Sequence, residues 1–232
     1  MPATRRSPKP AAAPSPPPLP RGGRHPLTQE AVTASQRARL LDAIGRVVAA
    51  KGVGAATVAD VIALAGVSRR TFYEQFERLE DCFVAAYEDG MRRLFAVIRE
   101  ALVAQREAGW RERTAVAISA YLDALASMPD ATRAFTLETL GAGPDAQAQR
   151  RRVLAEWVAH WRGLQRLREH LDPSTPPLAD AVLVGLVGGL EEMVREQLQR
   201  RGAKSLPTLA PAATAFALAV LEGAGRASPP DR

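Results

Sequence analysis

The chain has 232 residues, 47% of them hydrophobic, and a formal net charge of +6. This length and apolar content suffice for one large hydrophobic core and a smaller one. The single cysteine, Cys82, excludes an intrachain disulfide. Because Cys82 adjoins Phe83 and Val84, we expect a small buried side chain there, with a redox or metal-binding thiol as the alternative.

The positive charge is concentrated at the amino terminus. Residues 1–29 contain no acidic residue and five basic ones, which are Arg5, Arg6, Lys9, Arg21 and Arg24. Residues 1–27 are rich in proline and arginine and poor in large apolar groups, which predicts a disordered tail, and a second short tail is predicted at residues 225–232. No apolar run approaches the roughly 20 residues of a membrane span, and no signal peptide is recognisable, so we expect a cytoplasmic protein.

Helical periodicity extends over the rest of the chain, and no strand-like alternation is present. We therefore predict an all-α protein of about nine helices. The first is expected to end at Lys51, and two short ones to lie between Thr57 and Phe76. The others are expected from Leu79 onward and over Trp110–Met128, Asp130–Leu140, Asp145–Leu171, Leu178–Arg201 and Ala210–Glu222. A turn is expected at residues 172–177, and the helix before it is expected to carry Arg150, Arg151 and Arg152 on its outer side.

Residues 57–76, TVADVIALAGVSRRTFYEQF, have the pattern of two helices joined by a tight turn. Thr57, followed three residues later by Asp60, predicts a capping box. Gly66 is suited to the left-handed conformation that ends many helices. Ser68 is then expected to cap the second helix, whose Phe72 faces inward.

The second helix of this unit is predicted to expose polar side chains near its start. Arg69, Arg70, Thr71 and Tyr73 should face outward. Arginine reads a guanine edge with two hydrogen bonds, and hydroxyls and amides at helix amino termini bind phosphates. The unit therefore fits the DNA major groove; a helical hairpin with a solvated basic tip is the alternative.

Residues 36–83 resemble the DNA-binding domain of the TetR/AcrR family of transcriptional regulators. The resemblance depends on the amphipathic first helix ending at Lys51-Gly52, the Thr57 start, the turn at residues 65–68 and the helix containing Thr71, Phe72, Tyr73 and Phe76. It implies a DNA-binding domain at residues 28–78 and a helical effector-binding and dimerisation domain at residues 79–224. It also implies a repressor released from DNA by a small molecule.

The resemblance further implies roles for individual residues of this domain. By position, base edges would be contacted by Arg69, Arg70 and Thr71, and phosphates by Thr57, Ser68 and Tyr73. Gln75 stands where members often have histidine, and Leu79 where they often have lysine. One phosphate contact is therefore in question, and Arg78 is expected to substitute for it. The basic tail either adds phosphate contacts or is a passive extension.

The last two predicted helices contain residues with little or no side chain. Each glycine within a helix costs about 1 kcal/mol relative to alanine, so a close helix contact is expected there. Such a contact lies either within one subunit or between two. The resemblance implies a four-helix interface of a homodimer, and hence a palindromic operator. The candidate interface residues are Gly185, Gly188, Gly189, Ala213, Phe216 and Val220.

The middle helices contain apolar and aromatic residues that either line an effector cavity or fill the core. Glu138 is expected to pair with Arg133 or to meet a polar group of the ligand. The full set of candidate pocket residues is Tyr121, Leu125, Met128, Phe135, Glu138, Trp157 and Trp161.

No motif for catalysis, a metal or a cofactor is present. His25, His160 and His170 lack the spacing of metal ligands, and no nucleophile elbow, phosphate-binding loop or dinucleotide fingerprint occurs. We therefore expect a regulator that is not an enzyme and needs no cofactor. A helical small-molecule-binding protein without DNA-binding activity is the alternative.

Overall fold

A computed structural model describes residues 28–171 and 177–223. The predicted tails at residues 1–27 and 225–232, and the predicted turn at residues 172–177 apart from Pro177, lie outside the described residues. Within the described residues the fold is all-α, as predicted, with nine α-helices and no strand. The helices are α1 (Gln29–Lys51), α2 (Val58–Ala65), α3 (Arg69–Tyr73), α4 (Leu79–Ala104), α5 (Trp110–Ser127), α6 (Pro129–Arg133), α7 (Pro144–Leu171), α8 (Asp180–Arg201) and α9 (Ala210–Gly223).

Shorter helical segments join several of these elements. A π-helix, Ala134–Glu138, continues α6, and 3₁₀ turns occupy Val53–Ala55, Thr139–Gly141 and Ala203–Leu209. The sequence predicts one plain helix over residues 130–140. The structure instead contains α6, the π-helix and a 3₁₀ turn, so the backbone changes its winding where it passes α1.

Two hydrophobic cores organise the chain. The smaller core is built mainly by α1, α2, α3 and the first turns of α4, and it also contains Ala134, Ala142 and Ala146. Leu40, Ile44 and Phe72 are fully buried in it. The larger core lies among α4, α5, α7, α8 and α9. Helix α4 supplies Phe83 to the smaller core and Leu94 to the larger one. One continuous helix therefore joins the two cores.

The smaller core is closed by residues of α4 that lie beyond the predicted boundary at residue 78. Cys82, Phe83 and Ala86 are buried within it. The folding unit around α2 and α3 therefore extends about two turns into α4.

Cys82 is the buried thiol that the sequence predicts. Its side chain is fully buried, and its Sγ lies 3.8 Å from the carbonyl oxygen of Leu40. Burial raises the pKa of the Cys82 thiol to about 12. The reactive thiolate is therefore scarce at neutral pH.

We expect Cys82 to resist a water-soluble disulfide reagent at pH 8 while the protein is folded, and to react fully once it is unfolded in guanidinium. Release of the chromogenic thiolate measures both states. Rapid modification of the folded protein would contradict this burial.

Candidate nucleic-acid interface and ligand cavity

The start of α2 is held by the predicted capping box. The Thr57 hydroxyl accepts a hydrogen bond from the Asp60 amide at 3.2 Å, and the Asp60 carboxylate accepts one from the Thr57 amide at 3.2 Å. Lys51, at the end of α1, donates to Asp60 at 2.6 Å. This hydrogen bond is the main reason why the pKa of Asp60 is lowered. Local bonds therefore fix the angle between α1 and α2.

The turn between α2 and α3 has the predicted conformation. Gly66 is left-handed, with φ 63° and ψ 42°, and a side chain is strained there. The Arg39 guanidinium of α1 donates to the carbonyl oxygens of Ala65 at 3.0 Å and Gly66 at 3.3 Å. These bonds satisfy carbonyls at the end of α2 that have no partner within the helix. The turn is thus supported from its own backbone and from α1.

Helix α3 places its polar side chains opposite its buried anchor. Phe72 is fully buried, whereas Tyr73 is 47% exposed and both arginines are exposed. The Ser68 hydroxyl accepts from the Thr71 amide at 3.0 Å. Regular α-helix ends at Tyr73 rather than continuing to Phe76, although the Phe76 amide still bonds the Phe72 carbonyl at 2.9 Å. The exposed set therefore lies on a single short turn.

The two arginines of α3 have partners on their own helix. Arg69 donates to the Tyr73 hydroxyl at 3.3 Å, and its guanidinium lies 5.5 Å from the centre of that ring. Arg70 donates to Glu74 at 2.8 Å, with its side chain 88% exposed. Such exposed i,i+4 pairs are weak and are readily exchanged for stronger partners. Both guanidiniums are thus accessible to an acceptor outside the chain.

Two further candidate DNA contacts have a different environment. Gln75 is half-buried, and within the described residues its amide atoms make no hydrogen bond. Arg78, just before α4, donates to Asp81 at 2.7 Å and to Asp145 of α7 at 2.9 Å. The hydrogen bond to Asp145 is the main reason why the pKa of Arg78 is raised. Arg78 therefore joins the small core to α7, a role that the sequence did not predict.

A second joint lies where the π-helix meets the end of α1. The Glu138 carboxylate accepts from the Val53 amide at 3.1 Å, and Arg133 donates to the Ala49 carbonyl at 3.2 Å. The expectation that Glu138 pairs with Arg133 or meets a ligand is corrected, because each side chain binds the backbone near the end of α1. Glu138 also does not line either cavity described below.

Two cavities lie inside the larger helical body, and the second is lined in part by α4. The first, here called the aromatic cavity, encloses about 410 Å³ including its open mouth. The second, here called the polar cavity, encloses about 500 Å³ on the same basis. Both share Tyr121, Trp157 and Glu191 as lining residues, so they adjoin.

Five of the predicted pocket residues line these cavities: Tyr121, Leu125, Phe135, Trp157 and Trp161. Met128 does not, because it lies at the junction of α5 and α6. The structure adds Arg150 and Arg195 to the lining. The expectation that Arg150 lies on the outer side of α7 with Arg151 and Arg152 is wrong, because Arg150 shares a helix face with Val153 and Trp157 and lines the polar cavity.

The polar side chains of the cavities are partly desolvated. Arg150 and Glu191 form an ion pair whose side chains are 25% and 23% exposed. Burial raises the pKa of the Tyr121 phenol, which therefore remains a hydrogen-bond donor at neutral pH. Burial also lowers the pKa of His160, which favours the neutral imidazole. The cavities thus combine aromatic walls with a small number of polar groups, as ligand sites do.

The glycines of α8 fall into two classes. A Cβ added at Gly189 would lie 2.6 Å from the Phe216 ring, so Gly189 permits a close contact of α8 with α9 in the same chain. At Gly185 and Gly188 an added Cβ meets no atom within 4 Å. Of the other predicted interface residues, Ala213 lies in the chain's own core, which corrects its assignment to a surface, and Val220 is half-buried.

One helical stretch of the described residues, Ala203–Gly223, has the length and composition of a membrane span, which the sequence analysis did not predict. It consists of a 3₁₀ turn containing Pro207 followed by α9, and Leu206 and Leu221 lie in the core. The core helix of a soluble protein can have the same length and composition, so this is weak evidence for a membrane span. Only 22% of its apolar window is buried within the chain, which leaves much of it uncovered.

Comparisons with known proteins give the same fold. Residues 40–86 match the family model described as bacterial regulatory proteins, tetR family. FadR from Bacillus halodurans, a fatty acid degradation regulator, is 20% identical over 81% of this chain and 95% of its own, with a TM-score of 0.68. FadR from Bacillus subtilis, solved with stearoyl-CoA, is 18% identical over 80% and 98%, also with a TM-score of 0.68. A Rhodococcus transcriptional regulator is 21% identical over 83% and 99%, with a TM-score of 0.65. No curated protein matches the sequence.

The capped α2–α3 unit on a larger helical body defines the class of helix-turn-helix DNA-binding regulators. Within that class, residues 40–86 have the sequence pattern of the tetR family of bacterial regulatory proteins. Proteins of this kind are generally not enzymes. Among the described residues, no group of three or more metal-ligating side chains comes together.

Proposed function

We propose that this regulator is a cytoplasmic repressor, that it binds a palindromic operator as a homodimer, and that a small molecule in the adjoining cavities releases it. One observation carries the proposal. Helix α4 begins beside the α2–α3 unit and continues into the cavity wall, where Met91 and Leu94 line the polar cavity. A shift of α4 caused by a ligand would move the reading helix.

We propose that the exposed turn of α3 reads the operator. Arg69, Arg70 and Thr71 would contact base edges, and Thr57, Ser68 and Tyr73 would contact phosphates. The fixed angle of α3 supports these roles, as does the exposure of all these residues except Thr71, which is half-buried. Gln75 and Arg78 would contribute less, because Gln75 is half-buried and Arg78 already binds three carboxylates.

We expect Arg70→Ala to weaken operator binding by about 1–3 kcal/mol and to relax selectivity at one base pair, since a bidentate arginine contact is lost. Arg200→Ala is the matched control. Arg200 is likewise exposed and paired with a glutamate at i,i+4, but it lies at the end of α8. Titration of operator variants measures both proteins. Equal weakening on every DNA sequence would show a phosphate contact instead.

We propose that the dimer forms through the uncovered faces of α8 and α9. Val184, Gly185 and Gly188 recur at helical spacing on the exposed side of α8, and Val184 is 55% exposed. Ala215 and Ala219 form a similar exposed row on α9. Small residues permit close approach of a second helix pair. The scarcity of burial along α9 supports a partner at this surface.

The effector would act through two contacts between the body and the small core. Helix α7 carries the cavity residues Arg150 and Trp157 together with Asp145, which binds Arg78. Phe135 lines the polar cavity and lies in the π-helix whose Glu138 binds the Val53 amide. An effector releases DNA only through tighter binding to the state that does not bind DNA, and a hundredfold release needs about 2.7 kcal/mol of differential binding.

A gel-shift with the upstream region of the protein's own gene tests the function, because TetR-like repressors act on specific duplexes. Retardation that survives excess non-specific competitor supports the proposal. The alternative, a ligand-binding helical protein without DNA-binding activity, requires that no specific duplex be retarded.

A further inference from the structure

The two cavities differ in chemistry although they share a wall. The aromatic cavity is lined chiefly by apolar and aromatic side chains, among them Ile118, Trp161 and Leu190. The polar cavity adds Thr136, Arg150 and Arg195. A ligand that occupies both would therefore be amphipathic, with its apolar body and its polar group at opposite ends.

The fixed charges of the polar cavity favour an anionic group. Its charged lining residues are Arg150, Arg195 and Glu191, a net charge of +1. Glu191 already binds Arg150, with both side chains largely buried. Arg195, 26% exposed, binds Glu192 at 2.8 Å, and Glu192 is 66% exposed. A guanidinium held at a cavity by a solvated carboxylate can transfer its hydrogen bonds to a ligand carboxylate at little cost.

A cationic ligand fits these contacts less well. The only carboxylate of the cavities, Glu191, is neutralised by Arg150. An incoming cation would also meet Arg195, whose positive charge is offset only by the solvated carboxylate of Glu192. The burial of a charge without a partner is strongly unfavourable.

We propose that the effector is a small amphipathic monoanion. Its acidic group is bound by Arg195, beside the Arg150–Glu191 pair, and its apolar, ring-sized body lies against Trp157 and Trp161. This inference rests on the proposed function, since it concerns the same effector site, but the binding itself can be measured without DNA.

Three probes with one apolar body test the charge preference directly: 4-phenylbutyrate, 4-phenylbutyramide and 4-phenylbutylamine. Trp157 and Trp161 are two of the three tryptophans, so tryptophan fluorescence of the full chain reports binding. We expect the carboxylate to bind at least tenfold more tightly than the neutral amide, and the amine to bind most weakly. Equal affinities, a preference for the amine, or no response to any probe at millimolar concentration would overturn the proposal.

A pair of variants then locates the anion. Arg195→Gln should abolish the tenfold preference for the carboxylate and leave amide binding unchanged. Arg200→Gln removes the same charge from the same helix, but its side chain is 74% exposed, so the preference should persist. Equal losses in both variants would mark a general electrostatic effect and overturn the assignment to Arg195. Thermal melting of each variant shows that it is folded.

The probe titration and the DNA assay test separate claims, and either claim can fail without the other. If the carboxylate is preferred but no duplex is retarded, the repressor function fails and the ligand class stands. If a duplex is retarded but the probes do not distinguish charge, the ligand class fails and the repressor function stands.

Discussion

Gly188→Arg is expected to convert the proposed dimer to a monomer and to weaken operator binding by about a hundredfold or more, since two linked half-site contacts gain that much from avidity. Within the chain an added Cβ at residue 188 meets no atom within 4 Å. The substitution also removes a helix glycine, which favours the monomer fold by about 1 kcal/mol. The loss should therefore arise from charge and bulk placed against a second copy. Light scattering and operator titration measure the two effects.

Val103→Arg is the control for this substitution. Val103 is 66% exposed near the end of α4, on a different helix from the proposed interface. The same new charge there should leave both the mass and the operator affinity unchanged. A dimeric Gly188→Arg protein with unchanged affinity would refute the proposed interface.

Phe72→Ala is expected to destabilise the smaller core by about 3–5 kcal/mol and to abolish specific DNA binding. Phe72 is fully buried, and its ring lies 5.4 Å from the Tyr73 ring and 5.7 Å from the Phe76 ring. It is the main anchor of a five-residue helix that cannot hold its own conformation. Denaturant unfolding and amide exchange of residues 58–76 would detect the loss.

Leu64→Ala is the matched substitution on the same unit, because Leu64 lies on α2 and is 43% exposed. It should change the free energy of unfolding by no more than about 0.5 kcal/mol. If both variants lost the same stability, Phe72 would not be the anchor of α3.

The local geometry of the reading unit could be predicted from the sequence because its determinants are close in the chain. The capping box of Thr57 with Asp60 spans three residues, and Gly66 needs only its own backbone freedom. The Ser68 cap is equally local. The pattern therefore indicated the start of both helices and the turn between them, although not the early end of α3.

The joints between the two cores could not be predicted, since their partners are distant in sequence. Arg78 meets Asp145 across 67 positions, and Glu138 meets the Val53 amide across 85. Neither pair carries a pattern that periodicity detects. Arg150 was misplaced for a related reason: a run of three arginines resembles a solvated face, and only the packing of α7 against α8 shows which one turns inward.

The role of the glycines of α8 could be predicted only in part from the sequence. The sequence predicts a close helix contact at Gly185, Gly188 and Gly189 without assigning it to one subunit or two. The structure divides them, because Gly189 meets Phe216 of the same chain while the other two face open space.

Selection of bound duplexes from a random DNA pool, with the full-length protein, tests the central claim most directly. Two identical reading helices fixed by a twofold dimer predict an enriched inverted repeat, whose half-sites are separated by about one helical turn of DNA or a multiple of it. Arg70→Ala should remove the preference at one base pair in each half-site. A pool that yields no enriched sequence, or a single site without symmetry, would contradict the account.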